Sequence, residues 1–535
     1  MSKQSGSHKI YFPQYRKGKV GLELFEGTIL DHARKLGIEI NAECNGQGTC
    51  GSCVVRIERG QEALNAPTAA EQEFELGSSE RLACQATIAR PADIYVFIKD
   101  AGQYSILSET VEYGVEVDPL VRSVNGQVVW SGPQGERELG PHRGRMYGLA
   151  IDVGTTTLVV QLRDLETGAQ IATFAIKNPQ TAYGDDVISR IDHTMRNEGG
   201  LEELQGVIIR AVNQIVEGLV AQQGIRPEQI YEAVVVGNPT MRNLFFGLEV
   251  ETLGVIPFEP PDKQAVNVKA SSLGLKINAE ANVYGAALIG GHAGADCIAD
   301  IIAARLHEAA KPAILIDIGT NGELAIGTAA GIMTASVAAG GAYEGATVTS
   351  GVGALDGAIC NVQVRNGRVS YQTINGKSAV GICGSGLIDL LAELLKAGIM
   401  SPKAKLAGDF HLTETIKLTQ EDVYQLITAK AGLRTDQDLL ISYYGIELAE
   451  VDKLYLAGGF GNYIDADNAI TIGLLPEVRG KVVKLGNAAL AGAAEMLLSR
   501  RRREEAEVWA AKARHTKPNE LEPEFVYMVA DNMYF

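Results

Sequence analysis

Two stretches decide the reading of this chain: LAIDVGTTTLVVQL at residues 149–162 and ILIDIGTNGELAIG at residues 314–327. Each is an apolar run ending on an aspartate, then an Asp-x-Gly-Thr turn, then a second apolar run. That pattern predicts strand, tight turn, strand. Each is followed by a later strand closing on glycine, EAVVVGNPTM at 232–241 and KLYLAGGFGNY at 453–463. Small-residue helices are then expected at residues 292–306 and 487–499. A lone Asp-Gly-Thr is usually an ordinary hairpin turn. Two in parallel settings predict an internal duplication, two α/β halves of about 147–310 and 311–535 with a cleft between them.

The turn chemistry says what such a cleft can hold. An aspartate at the end of a buried strand, Asp152 or Asp317, can hold Mg²⁺ through waters. The glycine permits the tight turn. The hydroxyls and N–H groups after it can receive phosphate oxygens. The later Gly-Gly turn, Gly458 and Gly459, allows an adenosine to approach the backbone closely.

Working outward, the first hundred residues carry a different chemistry. CNGQGTCGSC at 44–53 spaces three cysteines as C-x5-C-x2-C, and a fourth lies in RLACQA at 81–86. Four thiolates, Cys44, Cys50, Cys53 and Cys84, suit an iron–sulfur cluster. Gly46, Gly48 and Gly51 let the loop wrap tightly, with N–H groups turned to the sulfides. The alternative is structural zinc, which usually takes two short C-x2-4-C knuckles rather than three ligands in one loop. Flanking this loop, KVGLELFEG at 19–27 reads as a strand pair ending at a turn. Thr28 is the expected N-cap of an amphipathic helix, ILDHARKLG, that stops at Gly37. Residues 54–58 and 94–98 read as strands. Residues 101–146 are polar and turn-rich, a linker or very small connector with short strands such as QVVW.

Composition narrows the class. Apolar residues make up 46% of 535, enough for a sizeable core. A formal charge of −17 argues against nucleic acid, whose binding needs clustered Lys and Arg. No secretory signal is visible at the start, and a cytoplasmic protein without a membrane span is expected. The most lipid-like stretch, residues 283–304, carries His292, Asp296 and Asp300, which favours a buried helix.

Together these features resemble the superfamily of sugar kinases, heat-shock ATPases and actin. Asp152-Val153-Gly154-Thr155-Thr156-Thr157 matches its first phosphate motif, Asp317-Ile318-Gly319-Thr320-Asn321-Gly322 its second, and Ala457-Gly458-Gly459-Phe460-Gly461 its adenosine motif. The whole chain is more closely similar to the reductive activators of corrinoid-dependent enzymes. The stretches carrying that are AYGDDVISRI, VVGNPTM, LIDIGTNGE, GICGSGLIDL and YLAGGFGNYID. The resemblance implies a β-grasp [2Fe–2S] ferredoxin domain over 1–100, a connector over 101–146, and a duplicated ribonuclease-H-like, actin-type ATPase fold over 147–535. It implies ATP and Mg²⁺ as further cofactors, a corrinoid iron–sulfur protein or methyltransferase corrinoid subunit as client, and a low-potential electron donor. A homodimer is open to it.

The implied reaction returns inactive Co(II) corrinoid to Co(I), as anaerobic one-carbon metabolism needs. Plant-type [2Fe–2S] centres lie near about −400 mV, and each ~59 mV uphill costs a factor of ten for one electron. ATP must therefore shift the balance. By the resemblance, Asp152 and Asp317 are catalytic. Thr155, Thr156, Thr320 and Asn321 hold phosphate, helped by Gly154, Thr157, Gly319 and Gly322, while Gly458, Gly459 and Gly461 border the adenosine. Two other functions stay open: a redox-regulated small-molecule kinase, and a nucleotide- and redox-sensing scaffold with no net electron delivery. Activators of 2-hydroxyacyl-CoA dehydratases hold a cluster between subunits, and the N-terminal module argues against that class.

Other residues have blander readings. Cys297, Cys360 and Cys383 are expected as small buried residues, Cys383 just before a helix. His193 and His292 read as partnered histidines in helices. Glu323 is either an assisting group or a solvated charge. Arg500–Arg503 followed by Glu504 and Glu505 reads as a solvated helix end with internal ion pairs. The apolar tail FVYMVADNMYF is expected to pack on the body.

Overall fold

Both Asp-x-Gly-Thr runs form antiparallel hairpins, because an apolar strand that turns through glycine pairs most readily with the next strand in the chain. The strand Tyr147–Val153 pairs with Thr157–Asp164, placing Asp152 opposite Val159. The strand Ala313–Ile318 pairs with Gly322–Thr328, placing Asp317 opposite Glu323. The computed structural model describes the chain apart from residues 1–7, 14–17, 19, 37, 39, 41–47, 50–52, 75, 99–113, 134, 185, 320, 321, 338–341, 344–347, 355, 366, 367 and 459–462. Cys44, Cys50, Thr320, Asn321, Gly459 and Gly461 therefore lie outside the described residues, as do Gly37, Gly46 and Gly51.

The chain divides into two units, Met1–Gln103 with Pro179–Asp185, and Tyr104–Asn178 with Asp186–Phe535. The first is built on a five-stranded sheet. Lys9–Tyr11 runs parallel to the last strand, Ile94–Ile98, which also pairs antiparallel with Val54–Arg59. The helix Ile29–Lys35 buries Ile29, Leu30 and Ala33. Its N-cap is Thr28, in a capping box with Asp31: each side chain serves the other's backbone N–H.

The second unit contains two six-stranded sheets that share the connectivity of five strands; the sixth differs, Val266–Lys269 pairing antiparallel with Asn282–Gly285 in one and Arg514–His515 pairing parallel with Gly331–Val337 in the other. In each, the three hairpin-linked strands lie side by side. The first of them then pairs in parallel with the strand that closes on glycine, Ile230–Val236 in one half and Lys453–Ala457 in the other. A further parallel strand comes after it, Asn282–Gly285 or Val482–Gly486. Next in the chain come the helices Ala295–Ala303 and Ala488–Leu498, which pack on each other. A Cβ at Gly492 would overlap the Ala299 carbonyl, so the absence of a side chain there sets how closely the two axes approach. The stretch 283–304 is thus a strand, a loop and a short buried helix, and His292 lies in the loop, its ring near Phe258 and His515. The glycines Gly290, Gly291 and Gly294, which disfavour helix, explain why the helix starts at Ala295 rather than at His292. The helix Gly200–Gln223 is long and apolar enough to cross a membrane by length and composition, and it buries a stripe including Leu204, Ile208, Val212 and Leu219.

The stretch read as a linker is ordered over much of its length and folds with the second unit. Val121–Val124, Gln127–Gly132 and Gly135–Pro141 form a three-stranded antiparallel sheet. Val121, Val128 and Trp130 join the core of the first half. Trp130 Nε1 donates to Glu232 Oε1 at 3.0 Å, a carboxylate that also accepts from Arg503 at 2.8 Å. Arg503 is therefore buried and paired across the fold, whereas Arg501 pairs with Glu505 on the surface of the same helix. The tail forms a short helix, Phe525–Asp531, that leaves Val526 and Tyr527 exposed, while Met533 and Phe535 pack against the second-half core. Cys297 and Cys383 are buried, but Cys360 sits in the strand Ala358–Arg365 and is partly exposed.

Candidate functional site

In the first unit, Cys53 and Cys84 bring their sulfurs to 3.3 Å, and both are buried. That is too far for a disulfide, whose S–S length is about 2.05 Å. It is close to the ~3.8 Å edge of a tetrahedral metal with bonds of ~2.3 Å. Cys53 stands just before the strand Val54–Arg59, and Cys84 just after Glu80–Leu82. Ala83 N donates to Cys53 O at 2.9 Å, tying the two ligand segments through the backbone.

The strand that delivers Cys84 is clamped by a buried ion pair. Arg81 donates from Nε to Glu71 Oε1 at 2.8 Å and from an Nη to Oε2 at 3.0 Å, and Leu82 N adds a bond to Oε1 at 2.9 Å. Burial pushes the Glu71 carboxyl up, but the Arg81 and backbone bonds outweigh it and hold the group below its ordinary value. Gln85 Nε2 points at Cys84 Sγ from 3.6 Å. Gly48, at φ +75°, lies against the Gln85 amide, where a Cβ would come within 2.9 Å. The converging, reduced thiols fit a sulfur-ligated iron centre, with Cys44 and Cys50 as the expected remaining ligands.

In the second unit the two Asp-x-Gly-Thr hairpins are matched at the level of single atoms. Gly237 comes after the strand beside Asp152, and a Cβ there would lie 2.6 Å from the carbonyl oxygen of Val153. Gly458 comes after the strand beside Asp317, and a Cβ there would overlap the carbonyl of Ile318, the residue after the aspartate, and lie 2.9 Å from Asp317 Oδ1. Gly458 also has φ +107°, which excludes ordinary side chains.

Polar side chains stiffen the first turn. Thr155 is buried, and its Oγ1 accepts from Asn238 Nδ2 at 2.9 Å. Asn178 Nδ2 donates to Gly154 O at 2.8 Å, and its backbone N donates to Thr156 O at 2.8 Å. Arg190, fully buried, donates to Thr155 O. Thr156 and Thr157 stay partly exposed. Pro239 is the first residue of the helix Pro239–Phe246, with Asn238 as its N-cap, so a hydroxyl at 239 is not needed to cap it. In the second turn, Gly319 is partly exposed beside Asp317 and Gly322 opens the return strand.

Five carboxylates surround these turns. Asp152 and Asp317 are partly exposed at the strand ends, and Asp296, Asp300 and Glu323 join them. Burial pushes the Asp152 carboxyl up to about 6, against the bond from Asn487 Nδ2 at 2.8 Å. Burial, with the charge of Asp152 added, pushes Asp296 up to about 7, against the bond from Cys297 N. Burial holds Glu323 and Asp300 well above the ordinary carboxylate range, and their acidic neighbours add to it. Glu323 is thus no solvated charge. Oxygen-rich, hard and negative, the set suits Mg²⁺ at Asp152 and Asp317.

Asn178, Asn238, Asn487, Arg190, Asp296 and Asp300 were not identified from sequence as parts of the site. The signal for the last two was present: two aspartates four residues apart in an otherwise small, apolar helix.

Residues 22–89 match the 2Fe-2S iron-sulfur cluster binding domain, 147–309 the RACo middle region, and 311–535 the C-terminal domain of RACo, the ASKHA domain. The chain is 30% identical to the corrinoid activation enzyme RamQ of Eubacterium limosum, over 95% of this chain and 96% of that one. It is 30% identical to the [Co(II) methylated amine-specific corrinoid protein] reductase of Methanosarcina barkeri, over 67% of this chain and 71% of that one. A solved structure, the reductive activator for corrinoid, iron-sulfur protein, superposes with a TM-score of 0.74 at 27% identity, covering 99% of this chain and 98% of that chain.

Proposed function

The chain belongs to the family of reductive activators of corrinoid proteins, and from that premise we propose that it hydrolyses ATP to drive one electron from a [2Fe–2S] cluster onto a Co(II) corrinoid protein, giving Co(I). The observation that carries this reading is one chain holding both a pair of buried thiols 3.3 Å apart and a duplicated Asp-x-Gly-Thr hairpin whose aspartates share one electrostatic cluster with Asp296, Asp300 and Glu323.

Cys53 and Cys84, with Cys44 and Cys50, hold the cluster, which supplies a one-electron carrier of low potential. Asp152 and Asp317 hold Mg²⁺, which supplies charge neutralisation for the phosphates. The chain's own groups do the rest. The Thr156 and Thr157 hydroxyls and the N–H groups of both turns, with Thr320 and Asn321 in the second, are fixed donors to phosphate oxygens. Asn178, Asn238 and Arg190 hold the first turn in place, so that no reorganisation is needed when phosphate arrives. Gly458, with Gly459 and Gly461, leaves room for the adenosine. Asp152, Asp317 or Glu323 orients the attacking water. Closure of the two halves on nucleotide then changes the surface offered to the corrinoid protein.

The test is to mix the reduced protein, Mg-ATP and a Co(II) corrinoid protein without oxygen, and follow Co(I) absorbance. Asp317→Asn should abolish ATP hydrolysis and leave the visible cluster spectrum intact. Cys53→Ala should lose that spectrum and keep hydrolysis. Co(I) formation at the same rate and extent without nucleotide would refute the coupling.

A further inference from the structure

Asp300 is the most anomalous side chain of the cleft. It is fully buried, and among the described residues neither carboxylate oxygen has a hydrogen-bond partner. Leaving a charged acid buried and unpartnered costs far more than a single lost hydrogen bond, so such a group either stays protonated or meets a water or an ion. Asp300 stands one helical turn from Asp296 on the same face of Ala295–Ala303. That helix packs against both strands of the second hairpin, where Asp317 and Glu323 sit directly opposite each other. The charges acting most strongly on Asp300 are carboxylates: Asp317, Asp296, Glu323 and Asp152.

One Mg²⁺ shared by Asp152 and Asp317 leaves Asp296, Asp300 and Glu323 without a counter-charge whenever they ionise, and a polyphosphate brings further negative charge to the same place. Hard divalent cations take six or more oxygens, commonly with one or two carboxylates and several waters. We propose that the protein binds a second divalent cation, held by Asp300 with Asp296 or Glu323, beneath the nucleotide's own Mg²⁺. The site lies beside Ala299, where the helices of the two halves cross at Gly492. An ion there neutralises the acids beside the crossing of the two helices. The inference rests on the nucleotide reading of the cleft, but its site is made of protein oxygens alone.

The experiment counts Mn²⁺ bound per chain by equilibrium dialysis on the full-length protein, with and without a non-hydrolysable ATP analogue. The wild type should bind one Mn²⁺ without the analogue and two with it. Asp300→Asn, of the same shape, should bind none without it and one with it. In the absence of divalent ions Asp300→Asn should melt at a higher temperature than wild type, and Mn²⁺ alone should raise the melting temperature of wild type only. A wild type that binds Mn²⁺ only together with the analogue, or an Asp300→Asn protein that binds as many ions as wild type, overturns the second site. A wild type that binds one ion without analogue and gains none with it keeps this site and sinks the nucleotide reading instead.

Discussion

Arg503→Met removes one member of a buried charge pair that ties the connector sheet, the first-half sheet and a C-terminal helix together. Glu232 is fully buried and uses a single oxygen, Oε1, to accept from Arg503 at 2.8 Å, Trp130 at 3.0 Å and Asn282 at 3.3 Å. The arginine also lies over the Tyr284 ring, 4.4 Å from its centroid. Removing one partner of such a pair leaves an uncompensated buried charge, for an expected cost of about 3–5 kcal/mol. Replacing both partners should cost much less, so Glu232→Gln with Arg503→Met should recover at least half of the loss. The readout is favourable, because the chain has two tryptophans, Trp130 and Trp509, and both lie in the core of the second unit. Tryptophan fluorescence during urea unfolding therefore reports that unit alone, whatever the ferredoxin domain does. If Arg503→Met shifts stability by less than about 1 kcal/mol, or if the two substitutions simply add, the pair is not the buried unit described.

Four more outcomes can be checked. Gly458→Ala places a methyl against the Ile318 carbonyl at a positive φ, and should weaken binding of a fluorescent ATP analogue at least tenfold while leaving the cluster spectrum unchanged. Glu71→Gln removes the charge that Arg81 grips beside Cys84, and should speed loss of the visible cluster absorbance under mild urea severalfold. Burial, with His292 and Lys517 adding to it, lowers His515 to about 4, so its neutral form is favoured on folding. The stability this group contributes is present above its unfolded value of about 6.5 and is lost as pH falls from there towards 4. His515→Phe should therefore flatten the melting temperature of the second unit over that window, as scanned by tryptophan fluorescence. Finally, Asn238→Ala removes the helix cap and the donor to Thr155, and should cost about 1 kcal/mol in the same urea assay.

Legibility tracked locality. Asp152 and Asp317 could be read because each ends an apolar run at a glycine turn, and hairpin pairing is decided within a dozen residues. Thr28 was legible as an N-cap for the same reason, while its capping box with Asp31 emerged only in the structure. Asn487 was not, since its partner Asp152 is 335 residues away and an asparagine before a helix needs no second explanation. Arg503 was misread because four consecutive arginines suggest a solvated end. Yet Arg503, Ala506, Trp509 and Ala510 recur at helical spacing and are the buried residues of that helix, so the stripe was there to be seen. In the connector the short strand QVVW was legible, but not its seat on the core, because turn residues dominate the stretch while Val121, Val128 and Trp130, which anchor it, are few.

Asn487 serves two masters. Its carbonyl oxygen accepts from Leu490 N at 2.8 Å to start the helix Ala488–Leu498, and its amide nitrogen grips Asp152 in the opposite half. Only a carboxamide offers an acceptor and a donor from one short stem. An aspartate would keep the cap and repel Asp152, and a serine would be too short to span the gap. The first-half carboxylate thus cannot shift towards an incoming ion without loosening the first turn of a helix that belongs to the other half. A displacement of the Asp152 carboxylate is in this way handed across the duplication by a single rotatable amide.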